Sequence, residues 1–358
     1  MTVYSTRFGR PIGVSRQGFG GAGANLGIEA LAGETDMITV FDDFNDIVKG
    51  TDTFGDAAIF EDFGWVLSDD GSAPTGEEIN QNDPSNVDEY APSCLRIFPG
   101  TNDDSGGQMQ LDLINGAVGT LIGTGNYPHL WIPETAAGAA VLDNSVWTFA
   151  CRCGFKAADD ASSGDWDAKV FIGWAEAGDT SLMTHDDGDI TITSGGPLVG
   201  FHIPEDGSIE AVSHRTVATA MAEGTNFTEL AAAGAVDGTT ANGATTAGDT
   251  VWFDLALRMD ITDMSDDDAN GTTTFYHRRV LPTGTPGSTQ FSIGGEGYNP
   301  WQEHSTKLTN QTPNNDVALV PTIEVLNGPT AGVDAVFFLD WWAFGTSRYS
   351  RYSREDSA

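Results

Sequence analysis

The sequence predicts an all-β chain: a large two-sheet antiparallel jelly-roll sandwich, preceded by an extended arm and followed by a short basic tail. Three observations lead there. Apolar and polar residues alternate at period two through a long series of short runs. Gly following Asp or Asn separates these runs and supplies the positive-φ residue that tight turns require. No stretch of linker composition interrupts the middle of the 358 residues, so a single large unit accounts for the length.

The elements follow in order. Residues 1–36 are rich in Gly, Ser and Arg, show no periodicity and read as an arm. From residue 37 the character changes. "MITVFDDFND", "EDFGWVLSDDG" and "SCLRIFPGTNDDSGGQMQLDLI" are apolar runs closed by Asp, Asn and Gly. In "SVWTFACRCGFKA" the alternation puts Trp147, Phe149, Cys151, Cys153 and Phe155 on one face. "AKVFIGWAEAG" and "PLVGFHIPEDGSIEAVS" continue the series. In the next long run, Val251, Phe253, Leu255, Leu257 and Met259 face one way, and Trp252, Asp254, Ala256, Arg258 and Asp260 the other.

"DITDMSDDDANGTTTFYHRRV" then reads as a hairpin with Asn270-Gly271 at its tip. The Ala-rich stretch 216–235 reads either as a helix interrupted by Gly224 or as a flexible loop, and 236–250 is low in complexity. Together they form an insertion at about 216–250. "ALVPTIEVLNG" and "AVFFLDWWAFGT" close the sandwich, which is placed at 37–345, with the tail at 346–358. The total is about ten to fourteen strands. One of Trp341 and Trp342 must face the core and the other away from it; alternation does not say which.

Composition narrows the function classes. The chain is 39% hydrophobic and 19% charged, a globular balance. Asp and Glu number 52 against 16 Lys and Arg, a net charge of −36. Such a surface repels nucleic acid and anionic membranes and suits a saline setting. The charge is uneven. Residues 1–33 carry Arg7, Arg10 and Arg16 against Glu29 alone, and the tail carries Arg348, Arg351 and Arg354 against Glu355 and Asp356. Basic ends on an acidic body read as interaction arms, and these six arginines are the expected partner contacts. No apolar run has membrane-spanning length, and the N-terminus lacks the apolar core of a secretory signal. The expectation is a chain made in the cytoplasm, or exported packaged in a particle. Three cysteines, Cys94, Cys151 and Cys153, argue against a disulfide framework and read as small buried hydrophobes.

The order of features, an early "VFDDF", a strand bearing "GW", "LRIFPGTNDDSGGQMQLDL", the central "VFIGWAE" and "GFHI", and the closing "FFLDWWAFGTSR" with Asp340-Trp341, resembles a known family. It is similar to the concanavalin-like lectin/glucanase sandwich, as in virion structural proteins of tailed bacteriophages. The likeness covers roughly residues 38–346, lies in strand order, and leaves out both arms. It implies a protein that decorates or cements a capsid by binding the major capsid protein and neighbouring copies of itself. The virion surface is then its location and the host cytoplasm its place of synthesis. A carbohydrate-binding or carbohydrate-cleaving protein, with a host glycan as partner, or a tail or receptor-binding protein, is the alternative implied by the same fold.

Chemistry is sparse. Glucanases of this fold carry Glu-x-Asp-x-x-Glu or Glu-x-Asp-x-Glu on one strand, and "ETDMIT", "EDFGW" and "IEVLN" each lack the second Glu. Lyases of similar fold use Arg, Gln, His and Tyr; His202, Tyr298, Gln302 and His304 are of the right types but lack the strand spacing. No enzyme is expected, and no nucleotide or metalloprotease motif occurs. Two binding readings stay open. Asp263, Asp266, Asp267, Asp268 and Asn270 cluster on one turn as hard oxygen ligands suited to Ca²⁺, without the spacing of an EF-hand. Tyr298 and Trp301 offer an aromatic platform for a sugar, with a buried loop anchor as the plainer reading.

Overall fold

The computed structural model describes residues 37–42, 51–52, 65–69, 78–81, 94–99, 106–111, 145–157, 165–176, 182–183, 198–214, 227–239, 250–263, 270–282, 292–293, 296–298, 302–303, 308–309, 319–328 and 335–347. Among these residues there are nineteen strands and no helix. The strands form two antiparallel sheets.

The larger sheet has twelve strands. They are β1 (Met37–Asp42), β2 (Thr51–Asp52), β4 (Glu78–Gln81), β5 (Leu95–Phe98), β7 (Ser145–Lys156), β12 (Val251–Asp263), β13 (Asn270–Pro282), β14 (Ser292–Ile293), β15 (Glu296–Tyr298), β16 (Gln302–Glu303), β17 (Leu308–Thr309) and β19 (Val336–Ser347). Its spine runs β14-β15-β13-β12-β7-β19-β5-β4-β2, with β1 paired to β19. The second sheet has seven strands: β3 (Trp65–Asp69), β6 (Gly106–Leu111), β8 (Ala168–Glu176), β9 (Leu198–Ile203), β10 (Ile209–His214), β11 (Phe227–Ala231) and β18 (Leu319–Asn327). Their order is β11-β10-β9-β8-β18-β6-β3. The chain changes sheet repeatedly, as between β6 and β7 or β18 and β19, and the first strand lies beside the last. The fold is therefore the expected all-β, two-sheet jelly-roll sandwich. The strand total exceeds the expectation because several pieces are only two or three residues long.

The period-two faces assemble the core. Trp147, Phe149, Cys151, Cys153 and Phe155 of β7 and Val251, Phe253, Leu255, Leu257 and Met259 of β12 all point between the sheets. Val170, Ile172 and Trp174 of β8, Val199, Phe201 and Ile203 of β9, and Ile323 and Val325 of β18 meet them from the other side. Trp174 packs edge-on against Trp147 at 5.9 Å and against Phe344 at 5.5 Å, and Phe201 against Phe275 at 5.5 Å. Each such fully buried side chain contributes on the order of 1.5–3 kcal/mol. The three cysteines are free buried thiols. Burial, reinforced by Cys153, pushes the Cys151 thiol well above its ordinary range.

β19 shows how the doublets "FF" and "WW" of the closing run fit one strand. Phe337 pairs with Phe155 and Leu339 with Cys153, but the next matched pair is Trp341 with Arg152. Asp340 is the extra residue of a β-bulge, and it reverses the parity of the strand. Phe337 and Leu339 face the core before it, Trp342 and Phe344 after it. Trp342 is therefore the inward tryptophan. β19 continues to Ser347, opposite Met37, two residues into the stretch read as tail.

Two expectations are corrected. The hairpin β12–β13 forms, but Asn270 and Gly271 are not at its tip: they begin β13, opposite Asp263 and Ile261. The long register overrides the local turn signal. The helical reading of 216–235 also fails over its described part. Phe227–Ala231 is the edge strand β11, followed by turns at 232–239. Pairing to β10 overrides the helix propensity of the Ala-rich segment.

Candidate functional site

The outer face of the seven-stranded sheet holds a buried polar array. Register aligns Gln108 of β6, Glu324 of β18, Phe171 of β8, His202 of β9 and Glu210 of β10 in one row. The adjacent row contains Gln110, Thr322, Gly173, Gly200 and Val212. Gly173 and Gly200 pair where backbones come close: a Cβ on Gly173 would lie 2.3 Å from the Val199 carbonyl oxygen. A side chain there forces the strands apart.

Glu324 sits in the middle with 0% exposure. Its Oε2 accepts from Gln108 Nε2 at 3.0 Å and from the Leu182 backbone N–H at 2.8 Å. Its Oε1 accepts from the Met183 N–H at 3.0 Å. The side chains of Leu182 and Met183 pack with Phe171, Leu198, Val212, Phe227 and Leu326 of the same face. Residues 182–183 therefore lie over the sheet, tied to it by one carboxylate and an apolar patch. A buried carboxylate is costly unless its lone pairs are met, and three N–H donors meet them here.

His202 lies two strands from Glu324 and is buried to the same degree. Its Nδ1 is 2.9 Å from Glu210 Oε2, and a carboxylate only accepts, so Nδ1 donates. The ring rests 5.8 Å from that of Phe227, and Nε2 has no hydrogen-bond partner among the described residues. Lys169, also buried, pairs with Glu205 at 2.9 Å. Glu324 and Glu210 are three strand steps apart, about 14 Å between backbones at ~4.8 Å per step. Glycosidase carboxylates stand roughly 5–9.5 Å apart. Glu324 turns away along the row towards Gln108, and Glu210 is taken up by His202, which stands between the two.

The outer face of the larger sheet buries charge in a different way. Arg278 of β13, Asp254 of β12 and Arg152 of β7 are register partners. Arg152 Nε donates to Asp254 Oδ1 at 2.8 Å, and Arg278 Nε to Oδ2 at 2.8 Å. Arg152 Nη1 is 3.6 Å from Asp340 of the bulge, and its guanidinium lies 5.9 Å from the Trp341 ring. Beside them Cys94, Trp252, Val280, Val336 and Phe338 form a separate apolar patch. Asp260, read with Asp254 as a face-sharing acid, is held by Arg258 at 2.6 Å.

The residues expected from sequence are placed only in part. Arg7, Arg10, Arg16, Arg348, Arg351 and Arg354 lie outside the described residues, as do Trp301, His304, Asp266, Asp267 and Asp268. Tyr298 ends β15, opposite Val280, and Gln302 lies in β16, opposite His277; both are in the larger sheet, while His202 is in the smaller. Among the described residues, the lyase-type set is thus divided between the two sheets. Asp263 and Asn270 pair across the hairpin end. No three His, Cys, Asp or Glu side chains among the described residues are grouped to hold a metal. Glu324, the single acid of "IEVLN", is a residue that motif reasoning passed over. Its signal was a lone carboxylate inside a strand apolar on both faces.

No protein-family model and no curated protein matches the chain. Among solved structures the chain is similar to peanut lectin (9% identity, 87% of this chain and 98% of that one, TM-score 0.40). It is also similar to an endo-1,3-beta-glucanase from Streptomyces sioyaensis (10% identity, 87% and 97%, TM-score 0.42). A third is a protein of unknown function from Shewanella oneidensis MR-1 (13% identity, 88% and 90%, TM-score 0.39). At such identities and TM-scores, none of these likenesses bears on what this chain binds.

Proposed function

We propose that this chain is a structural virion protein, a capsid decoration or cement protein of a tailed bacteriophage, that works by binding and carries no catalytic site. The observation behind this reading is the occupied face of the seven-stranded sheet. Residues 182–183 cover it, and its central carboxylate is engaged by backbone and amide N–H groups of the same chain. A face filled in this way leaves binding to the ends and edges of the sandwich, and extended arms that order on a partner wrap large surfaces. The basic ends of an acidic body are suited to the major capsid protein and to neighbouring copies of this chain. Its place is the capsid surface, after synthesis in the host cytoplasm; the acidic body disfavours nucleic acid and anionic membranes.

A carbohydrate-binding or carbohydrate-cleaving protein of the same fold, or a tail receptor-binding protein, is the second reading. The buried polar row through Gln108, Glu324 and His202 favours it. Light scattering after size exclusion separates the two. It compares the full chain with a variant lacking 1–36 and 348–358, which keeps the Met37–Ser347 pairing. Each is run with and without candidate shells. Shell binding by the full chain, lost on trimming, supports decoration. No binding by either form, with retention on a glycan array, replaces it with the second reading.

A further inference from the structure

We propose that Arg279 anchors a small-anion site at the rim of the sandwich, where a halide-sized monovalent anion such as chloride sits between β13 and the turns at 232–239. This inference does not depend on the virion reading. It starts from two neighbouring arginines. Arg278 and Arg279 leave β13 on opposite faces, and their register partners on β12 are Asp254 and Phe253. Arg278 points outward and holds the Asp254 carboxylate at 2.6 Å. Arg279 points inward. Its guanidinium carbon lies 5.1 Å from the centre of the Phe253 ring, and its Nη2 donates to the Ala235 carbonyl. Its Nε is buried and has no hydrogen-bond partner among the described residues.

A guanidinium keeps its charge in a protein and brings five N–H donors. The chain has 52 acids against 16 bases, yet among the described residues no carboxylate pairs with Arg279. Arg152, Arg258 and Lys169 each hold an acid, as Arg278 does. The acids of the adjoining turns face other groups: Asp237 accepts from the Trp166 N–H and Asp206 from that of Ser208. Burial lowers the pKa of Arg279, the mark of a charge partly withdrawn from water. A ring face and one carbonyl orient the group but supply no full negative charge; an anion does. Because Nε is closed to water, what meets it must be small, and a halide accepts N–H donors from any direction. The residue as a whole is only partly buried, so the ion reaches it from the rim. The carbonyl that holds Nη2 is itself fixed. Gly234, at φ +76°, donates its N–H to the Asp206 carbonyl, and the Val236 N–H donates to that of Gly207. Asp206 and Gly207 belong to the turn between β9 and β10 of the smaller sheet. An anion on Arg279 therefore ties the larger sheet to the smaller one at this rim.

The test compares the full chain in sodium chloride and in sodium gluconate at equal ionic strength. Screening of the acidic surface is then the same, and only the small anion differs. A chloride titration followed by chlorine NMR line width gives the dissociation constant, and hydrogen exchange by mass spectrometry locates the site. At a chloride concentration about three times that constant, exchange at 232–239 should slow about fourfold relative to gluconate, while the central strands β8 and β18 are unchanged. In Arg279→Met both the slowing and the excess line width should be lost. The proposal is overturned if exchange at 232–239 is the same in the two salts, if it slows only together with β8 and β18, or if Arg279→Met responds to chloride as the wild type does. Should the variant not fold, the wild-type series still decides through the first two outcomes.

Discussion

The two outer faces of the sandwich meet the same difficulty in different ways. Each buries a carboxylate completely on a strand inside its sheet, Asp254 on β12 and Glu324 on β18. Asp254 is clasped by two arginines from the flanking strands, so opposite charges lie in one row. Glu324 accepts from a glutamine side chain and from two backbone N–H groups, the latter on a segment outside the sheet. Charge pairing within the sheet locks three long strands together. Amide capping attaches a separate piece of chain to the sheet through one carboxyl group.

The comparison is broken most directly at Asp254. Asp254→Ala removes the carboxylate shared by two buried guanidinium groups and is expected to cost about 3–5 kcal/mol. Urea unfolding monitored by tryptophan fluorescence gives the value. A loss no larger than that of Glu324→Gln would mean that the two faces are equivalent. Glu324→Gln itself should cost about 1–3 kcal/mol, the penalty for one or two unmet donors. Arg258→Ala, at the part-exposed Arg258–Asp260 pair, should cost less than about 1 kcal/mol and become weaker still in salt. A cost equal to that of Asp254→Ala would show that pairing on this face counts regardless of burial.

The smallest effect concerns pH, at the turns that end the smaller sheet. Burial raises the pKa of Asp237 from its ordinary 3.8, with the charges of Asp165 and Asp206 adding to the rise and the Trp166 N–H opposing it. A raised carboxyl pKa means that the folded state holds the proton more tightly than the unfolded one. The stability this provides is present below the unfolded value and lost as pH rises through the folded one. Ionised Asp237 is therefore a liability at neutral pH. Asp237→Asn keeps an acceptor for Trp166 and should raise the melting temperature at neutral pH, by an amount that shrinks on acidification. A variant less stable than wild type at neutral pH, or a gain independent of pH, would contradict this account.

Much of the fold was legible because strand faces have period two. The inward sets of β7 and β12 follow from alternation alone, since burial on one side and solvent or a second layer on the other imposes that spacing. The site was far less legible. Arg152, Asp254 and Arg278 are 102 and 24 residues apart in their two pairings. No local pattern links them. Glu324 attracted no attention as a motif because a motif search looks for acids near one another in sequence, whereas its partners are 216, 142 and 141 residues away.

The amino-acid order by itself determined that the chain is all-β, that its long strands have one core-facing side, and that one tryptophan of the 341–342 pair turns inward. Tertiary structure alone decided which one. The bulge at Asp340 shifts the pairing of β19 by one residue, and such a shift exchanges the two faces of everything after it. It also decided that Glu324 serves residues 182–183 and Asp254 two arginines. Hydrogen-bond and charge partners are set by register and by the approach of distant segments, and these are properties of the assembled sheets.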